Sequence, residues 1–192
     1  MQTTIATTVQ TAGTGLHTGC DVSVKLRPAP ADTGVVFRRV DLQNYPIEAS
    51  RQWVSRVMLA TTLMKRGVML STVEHLLSAV YGFGIDNLFI DIDSLEVPIL
   101  DGSSLPFIEL LQKAGVQEQD APRRYLLVEE PLTLRDGEKW IAVEPASGFS
   151  ICYDIDFAHP AIGVQSLDLE ISRETYLREI AFARTFGFYN EV

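Results

Sequence analysis

The chain has 192 residues, of which 46% are hydrophobic and 21% charged, so it can bury a core and form one large or two small domains. A formal net charge of -9 argues against DNA or RNA as a partner, because nucleic-acid binding depends on a basic face that neutralises phosphates. The N-terminus lacks the regions of a signal peptide, no apolar stretch approaches the ~18 residues of a membrane span, and the two cysteines fit no metal or redox spacing. We therefore expect a cytoplasmic protein with reduced thiols and no transmembrane segment.

The first predicted element is a half-buried strand at residues 22–27, where apolar and polar residues alternate. A Pro-rich link at 28–34 leads to a second strand at 35–38, and we expect these two strands to form a hairpin-like pair. Further along the chain, the residue pattern predicts a helix, a strand and a second helix closed by Gly115, at about residues 71–81, 87–92 and 105–114.

The second half of the chain repeats this layout of strand, Pro-Ala, Gly and strand, at residues 140–156. A second pattern, in which Ala and Thr are set among large apolar residues, occurs at 57–63 and again at 180–186. Two matches in the same order indicate an internal duplication, although matches this short also arise by chance. No helix, strand and helix follow the second copy, so we expect an α+β fold of two tandem, related sheet-plus-helix units, residues 1–121 and 122–192, the second of them incomplete.

The most informative motif places Glu74 beside His75 at the start of an apolar stretch. Ser71 and Glu74 have the spacing of a capping box, which on spacing alone is the commoner interpretation of this glutamate. His75 points away from the apolar stripe of the predicted helix, so it is either a surface histidine or a metal ligand. A helix N-terminus favours the neutral imidazole that a metal requires. A catalytic zinc needs about three protein ligands, and no obvious second and third ligand accompanies His75.

Three other segments combine chemically active residues. The Gly-rich run 13–19 contains His17 and fits neither nucleotide-binding fingerprint, which favours a tight turn. His159 follows a predicted strand and is either a loop residue or part of a ligand rim. The run 184–188 brings together a guanidinium, a hydroxyl and two aromatic rings, which suits a ligand-binding segment. The alternative is that it forms a helix C-terminus capped by Gly187.

In combination, these segments resemble the zinc-dependent UDP-3-O-acyl-N-acetylglucosamine deacetylases of lipid A biosynthesis. The resemblance extends from about Thr8 to Tyr189. It rests on the motifs Gly15-Leu16-His17-Thr18-Gly19, Leu26-Arg27-Pro28-Ala29-Pro30, Ser71-Thr72-Val73-Glu74-His75-Leu76, Gly84-Ile85-Asp86-Asn87, Pro98-Ile99-Leu100-Asp101-Gly102-Ser103, Asp136-Gly137-Glu138-Lys139-Trp140, Ile155-Asp156-Phe157-Ala158-His159-Pro160-Ala161-Ile162 and Ala183-Arg184-Thr185-Phe186-Gly187-Phe188.

The resemblance implies two similar units packed helix to helix, with the active site between them. It implies that His75 is a zinc ligand and that Glu74 is the general base that activates a water for attack on the N-acetyl carbonyl. It also implies that Thr185 stabilises the oxyanion and that Phe186 packs on the sugar. The resemblance further implies that four residues lie on the nucleotide and sugar side of the site: Lys139, Asp156, Phe157 and Arg184. It places Leu59 and Ala60 near the metal pocket.

The family's other two zinc ligands, a His and an Asp four residues apart, and its catalytic His match positions beyond Val192. Two interpretations therefore stay open. In the first, the chain is the N-terminal part of such a deacetylase, whose substrate is a UDP-linked acylated amino sugar, and it is inactive alone until a C-terminal portion completes it. In the second, it is a catalytically inactive short relative that acts as a nucleotide-sugar binding or regulatory module. The joint presence of Glu74, His75 and Thr185 favours the first, because a pure binding module needs neither a base nor an oxyanion donor.

Overall fold

The structure is a computed structural model that describes residues 1–188. Its contacts divide the chain into two units, one formed by residues 1–123 together with those from 177 onward, and the other by residues 124–176. The strands of the first unit are β1 Gln2–Ile5, β2 Val9–Thr14, β3 Asp21–Pro28, β4 Val35–Arg39, β5 Tyr45–Glu48, β6 Val54–Arg56, β7 Thr62–Lys65, β8 Val68–Leu70, β9 Leu88–Ile92 and β10 Val116–Gln119, and its helices are α1 Glu74–Phe83 and α2 Leu105–Ala114.

The centre of the first unit is a five-stranded mixed sheet in the order β2-β3-β9-β4-β5. β9 pairs with β3 in antiparallel and with β4 in parallel orientation. The expectation that the strands at 22–27 and 35–38 pair with each other is therefore wrong. Leu88, Ile90 and Ile92 of β9 are fully buried, and a strand buried in this way needs a hydrogen-bonding partner along both edges.

The α-helices α1 and α2 of the first unit pack against each other. α2 has the predicted bounds and is followed by Gly115, whose φ of 70° and ψ of 166° form a positive-φ conformation that glycine adopts freely. α1 begins at Glu74, three residues later than the predicted start, and buries one face that contains Leu76, Ala79, Val80 and Phe83. The helix thus begins at the first residue of the Glu-His pair.

The second unit consists mainly of two antiparallel hairpins, β11 Leu132–Asp136 with β12 Lys139–Val143, and β13 Ser150–Phe157 with β14 Gly163–Glu170. Within residues 124–176, the two hairpins form separate two-stranded sheets, and no strand between them hydrogen-bonds to both. The first unit has the same succession of two antiparallel pairs, with β9 between them. This parallel supports the duplication, which stays a prediction.

A helical turn at Arg173–Thr175 continues as Tyr176–Ile180. The residues from 177 onward group with the first unit, which differs from the predicted second unit of 122–192. The overall architecture, with several sheets and few helices, is α+β as expected. In the part of the chain that the structure describes, no helix is both long and apolar enough to span a membrane.

Candidate active site around Glu74 and His75

Glu74 occupies the first turn of α1, and its carboxylate faces the preceding loop. The backbone N–H of Thr61 donates to both carboxylate oxygens, at 3.2 Å each. The helix is preceded by Val73, with no side-chain cap, while the hydroxyl of Ser71 is hydrogen-bonded to that of Thr62 at 3.0 Å. The capping-box interpretation is therefore wrong, because Ser71 lies outside the helix and its side chain is engaged elsewhere.

His75 is half-buried and follows Glu74 in the first turn of α1. The next residue, Leu76, is fully buried. Ala79 is also fully buried and Val80 nearly so, on the same face of the helix. Within residues 1–188, the imidazole of His75 takes part in no hydrogen bond, so both ring nitrogens are open to a ligand. The structure thus agrees with the expectation that His75 is not a core histidine.

The segment before Thr61 is an exposed apolar loop. Val57, Met58 and Leu59 are more than half exposed, and Leu59 is 85% exposed in the left-handed conformation with φ 60°. Ala60, by contrast, is buried. Because Thr61 binds Glu74 directly, Leu59 and Ala60 lie in the loop that borders the carboxylate. The geometry is compatible with their predicted place near the metal pocket, and their role stays a prediction.

The segment that contains Arg184, Thr185 and Phe186 is held by the loop that precedes α2. The N–H of Thr185 donates to the carbonyl of Gly102 at 2.9 Å, and the Arg184 guanidinium lies 3.5 Å from the carboxylate of Asp101. The last helical turn ends at Ile180, so the interpretation of residues 184–188 as a helix C-terminus is wrong. Thr185 and Phe186 are both exposed, and the Phe186 ring lies edge-on to that of Phe188, with ring centroids 5.8 Å apart.

The Gly-rich run around His17 is a tight turn, as the sequence predicted. The N–H of Gly15 donates to the carbonyl of Cys20 at 2.9 Å, and that of Gly19 donates to Gly15 at 3.0 Å. We name residues 15–20 the His17 loop. Its centre is occupied by the carboxylate of Glu96, a residue that the sequence analysis missed, although a lone glutamate between Leu95 and Val97 was a signal of a buried charge.

The other predicted site residues belong to the second unit. Lys139 is exposed at the start of β12, beside a shallow depression of about 290 Å³ that Arg135 and Trp140 also line. Asp156 is exposed and Phe157 half-buried at the end of β13. His159 lies in the following turn, where its Nδ1 accepts the N–H of Ala161 at 3.2 Å. This contact agrees with the loop interpretation of His159.

Residues 1–188 do not provide the ligand set of a catalytic zinc. No group of three or more His, Cys, Asp or Glu side chains in this range is arranged to hold a metal ion. His75 offers one nitrogen, whereas a catalytic zinc takes about three protein ligands and a water. The residues present therefore do not fit a complete zinc centre.

The fold and the site define an α+β protein with a carboxylate and an imidazole side by side at the start of a helix. The family model of UDP-3-O-acyl N-acetylglycosamine deacetylases matches residues 2–192, and the chain belongs to this family.

Curated proteins agree with this assignment. UDP-3-O-acyl-N-acetylglucosamine deacetylases from Thioalkalivibrio sulfidiphilus and Solibacter usitatus are each 47% identical to the chain, and the one from Colwellia psychrerythraea is 48% identical. Each match covers 100% of the chain and 64% of the relative. The chain thus spans just under two thirds of the length of these relatives.

Proposed function

We propose that the protein, at the full length of its relatives, is a zinc-dependent hydrolase that removes the N-acetyl group from UDP-3-O-(hydroxyacyl)-N-acetylglucosamine in lipid A biosynthesis. The observation that carries the proposal is the first turn of α1, where Glu74 is oriented by Thr61 and, among residues 1–188, His75 has no competing hydrogen bond. Family membership over residues 2–192 and the names of the relatives support the same reaction.

The reaction needs a base, and Glu74 is suited to that role. Both of its oxygens accept a single N–H from Thr61, and each keeps lone pairs that can receive a proton. Glu74 takes a proton from a water as the water oxygen bonds to the acetyl carbonyl carbon. The hydroxyl of Thr185 donates a hydrogen bond to the carbonyl oxygen as that oxygen gains negative charge. Breakage of the C–N bond, with a proton passing to nitrogen, gives acetate and the free amino sugar.

Substrate recognition is assigned to the polar and aromatic residues that the family resemblance implies. Lys139 and Arg184 offer positive charge to the diphosphate, Phe157 and Phe186 offer aromatic faces to the uridine and the sugar, and Asp156 offers an acceptor to hydroxyl groups. Leu59 and Ala60 belong to the loop beside Glu74. A substrate built on UDP supports a cytoplasmic location, where nucleotide sugars are made.

The zinc requirement belongs to the proposal as well. His75 is the ligand assigned to residues 1–188, and the others are assigned to the part of the relatives that this chain does not match. The 192-residue chain alone is therefore expected to be inactive. The ligand count in residues 1–188 also supports the alternative, in which the chain binds a nucleotide sugar or regulates without catalysis.

The test joins the last third of the Colwellia psychrerythraea relative to Val192 and measures acetate release from UDP-3-O-acyl-N-acetylglucosamine. We expect the chimera to release acetate, and neither its Glu74→Gln form nor the 192-residue chain to do so. A folded chimera that contains zinc but leaves the substrate intact overturns the proposed reaction. Binding of the same substrate without turnover supports the alternative function.

A further inference from the structure

Glu96 is a carboxylate held away from water by protein donors. The residue is 1% exposed, and its oxygens accept the N–H of His17 at 3.0 Å and the N–H of Thr18 at 2.9 Å. The hydroxyl of Thr72 donates a further hydrogen bond at 3.0 Å. Burial alone raises the pKa of Glu96, but these donors outweigh it and hold the pKa below its ordinary value. The group is therefore a buried anion with its hydrogen bonds supplied by two separate segments.

The first of these segments is the His17 loop, which is shaped around the carboxylate. A Cβ atom at Gly15 would lie 2.5 Å from Oε2 of Glu96, closer than side-chain atoms approach. Glycine at this position lets the backbone come near enough for the next two amides to bind the anion. The placement of His17 thus depends on Glu96.

The second segment leads directly into α1. Thr72 has a φ of 58°, a left-handed conformation that is uncommon for a β-branched residue. The N–H of Ser71 donates to Leu95 at 2.8 Å, and the N–H of Val97 donates to Ser71 at 3.0 Å. This short parallel bridge and the Thr72 hydroxyl fix the backbone turn two residues before Glu74. The direction in which α1 begins, and with it the position of Glu74 and His75, follows from this turn.

We infer that Glu96 is a positioning residue of the Glu74–His75 site, which joins the His17 loop to the backbone turn at Thr72 and thereby sets where the carboxylate and the imidazole point. Its effect on catalysis rests on the proposed function, whereas its effect on the two histidines does not. Glu96→Gln replaces one of the two acceptor oxygens by an NH2 group, which sets a donor against a donor among the amides of His17 and Thr18 and the hydroxyl of Thr72, while the apolar face of α1 stays buried. The fold is thus expected to persist with a displaced site.

The direct test is a histidine-selective proton–carbon correlation spectrum of the 192-residue chain, which contains three histidines. We expect Glu96→Gln to shift the resonances of His17 and His75 and to leave that of His159, in the other unit, in place. Thr72→Val keeps the charge and the β-branched shape but removes the hydroxyl, and we expect it to shift His75. Because Thr72→Val keeps the Glu96 carboxylate, a shifted His75 resonance in this variant cannot be caused by the loss of a negative charge.

The matched control is Asp86→Asn. Asp86 also accepts a backbone amide, from Thr3 at 2.8 Å, and binds the guanidinium of Arg123 at 2.7 Å. We expect this variant to be destabilised and to leave all three histidine resonances in place. An unshifted His75 in folded Glu96→Gln overturns the inference. If Glu96→Gln does not fold, an unshifted His75 in Thr72→Val overturns it.

A second arm uses the chimera described above. We expect Glu96→Gln to lower kcat roughly tenfold or more with KM within about twofold, since a displacement of about 1 Å in a site costs up to about 10²-fold in rate. Asp86→Asn is expected to keep kcat. Unchanged kcat in an active Glu96→Gln chimera overturns the inference, whereas an inactive unsubstituted chimera overturns the proposed function and leaves the resonance test valid.

Discussion

The backbone amide of Thr61 donates to both carboxylate oxygens of Glu74 at 3.2 Å. The donor lies in the exposed loop that also contains Leu59, and the acceptor lies on the first turn of α1. One N–H shared between two oxygens orients the carboxylate without satisfying it, because an ionised carboxylate has about four acceptor positions. Glu74 is therefore placed by the protein and still able to take a proton.

This arrangement separates the effects of two substitutions in the chimera. Glu74→Gln keeps an amide oxygen for Thr61 but loses the base, so turnover is expected to fall by roughly two or more orders of magnitude while metal content stays near one per chain. His75→Ala is expected to lose both turnover and metal, because a ligand is removed. Steady-state kinetics and elemental analysis measure the two quantities. Near-normal turnover in Glu74→Gln would assign Glu74 a purely structural role.

The 192-residue chain is expected to bind zinc weakly, since folded catalytic sites need about three protein ligands and His75 is the one assigned here. Metal analysis after dialysis against metal-free buffer should therefore give much less than one zinc per chain. The chimera, treated in the same way, is the comparison and should retain the metal. Stoichiometric zinc in the shorter chain would show that His17, His159 or a carboxylate completes a site.

Amides in residues 124–176 are expected to exchange faster than those of the central sheet in the first unit. The second unit is built largely from two-stranded hairpins, which are marginally stable on their own, and it leaves large apolar side chains exposed, among them Leu134, Trp140 and Ile141. Hydrogen exchange followed by mass spectrometry of peptides measures both units in one sample. Equal protection of β9 and β13 contradicts the prediction.

Stability is expected to fall as the solution becomes acidic. Hydrogen bonds from Arg39 hold the pKa of Asp41 below its ordinary value, those from Lys65 do the same for Glu48, and at Glu96 the donors outweigh the opposite effect of burial. A lowered folded-state pKa means that the unfolded chain binds more protons, so the stabilisation is complete above about pH 4.5 and is lost as the pH falls through the folded-state values.

Urea unfolding at about pH 7 and about pH 3.5 measures this loss, and Glu96→Gln should show a smaller difference between the two conditions because one of the titrating groups is gone. A midpoint of unfolding that does not change between the two pH values contradicts the prediction. The substitution Gln10→Ala, on the exposed side of β2, is the control and should leave the pH dependence unchanged.

Elements governed by neighbouring residues could be predicted from the sequence. α2 has the expected bounds because its apolar period and Gly115 are local signals. The pairing of β3 with β9 could not be read in this way, since it joins residues far apart along the chain. At the site, the helical period predicted that His75 lies outside the apolar stripe, and the residue is half-buried. The contacts of Ser71 could not be predicted in this way, because they come from Thr62 and Leu95.

The contacts of β9 also set an order of events during synthesis. Val24 of β3 pairs with Ile92 of β9, so the first two antiparallel pairs of the nascent chain remain separate ribbons until the ribosome has released the strand that lies between them. Such distant pairings slow folding, because a long loop must close before the contacts form. Until that moment the edges of β3 and β4 that pair with β9 lack hydrogen-bonding partners, and a pause in translation before residue 92 prolongs the interval in which the nascent chain can aggregate.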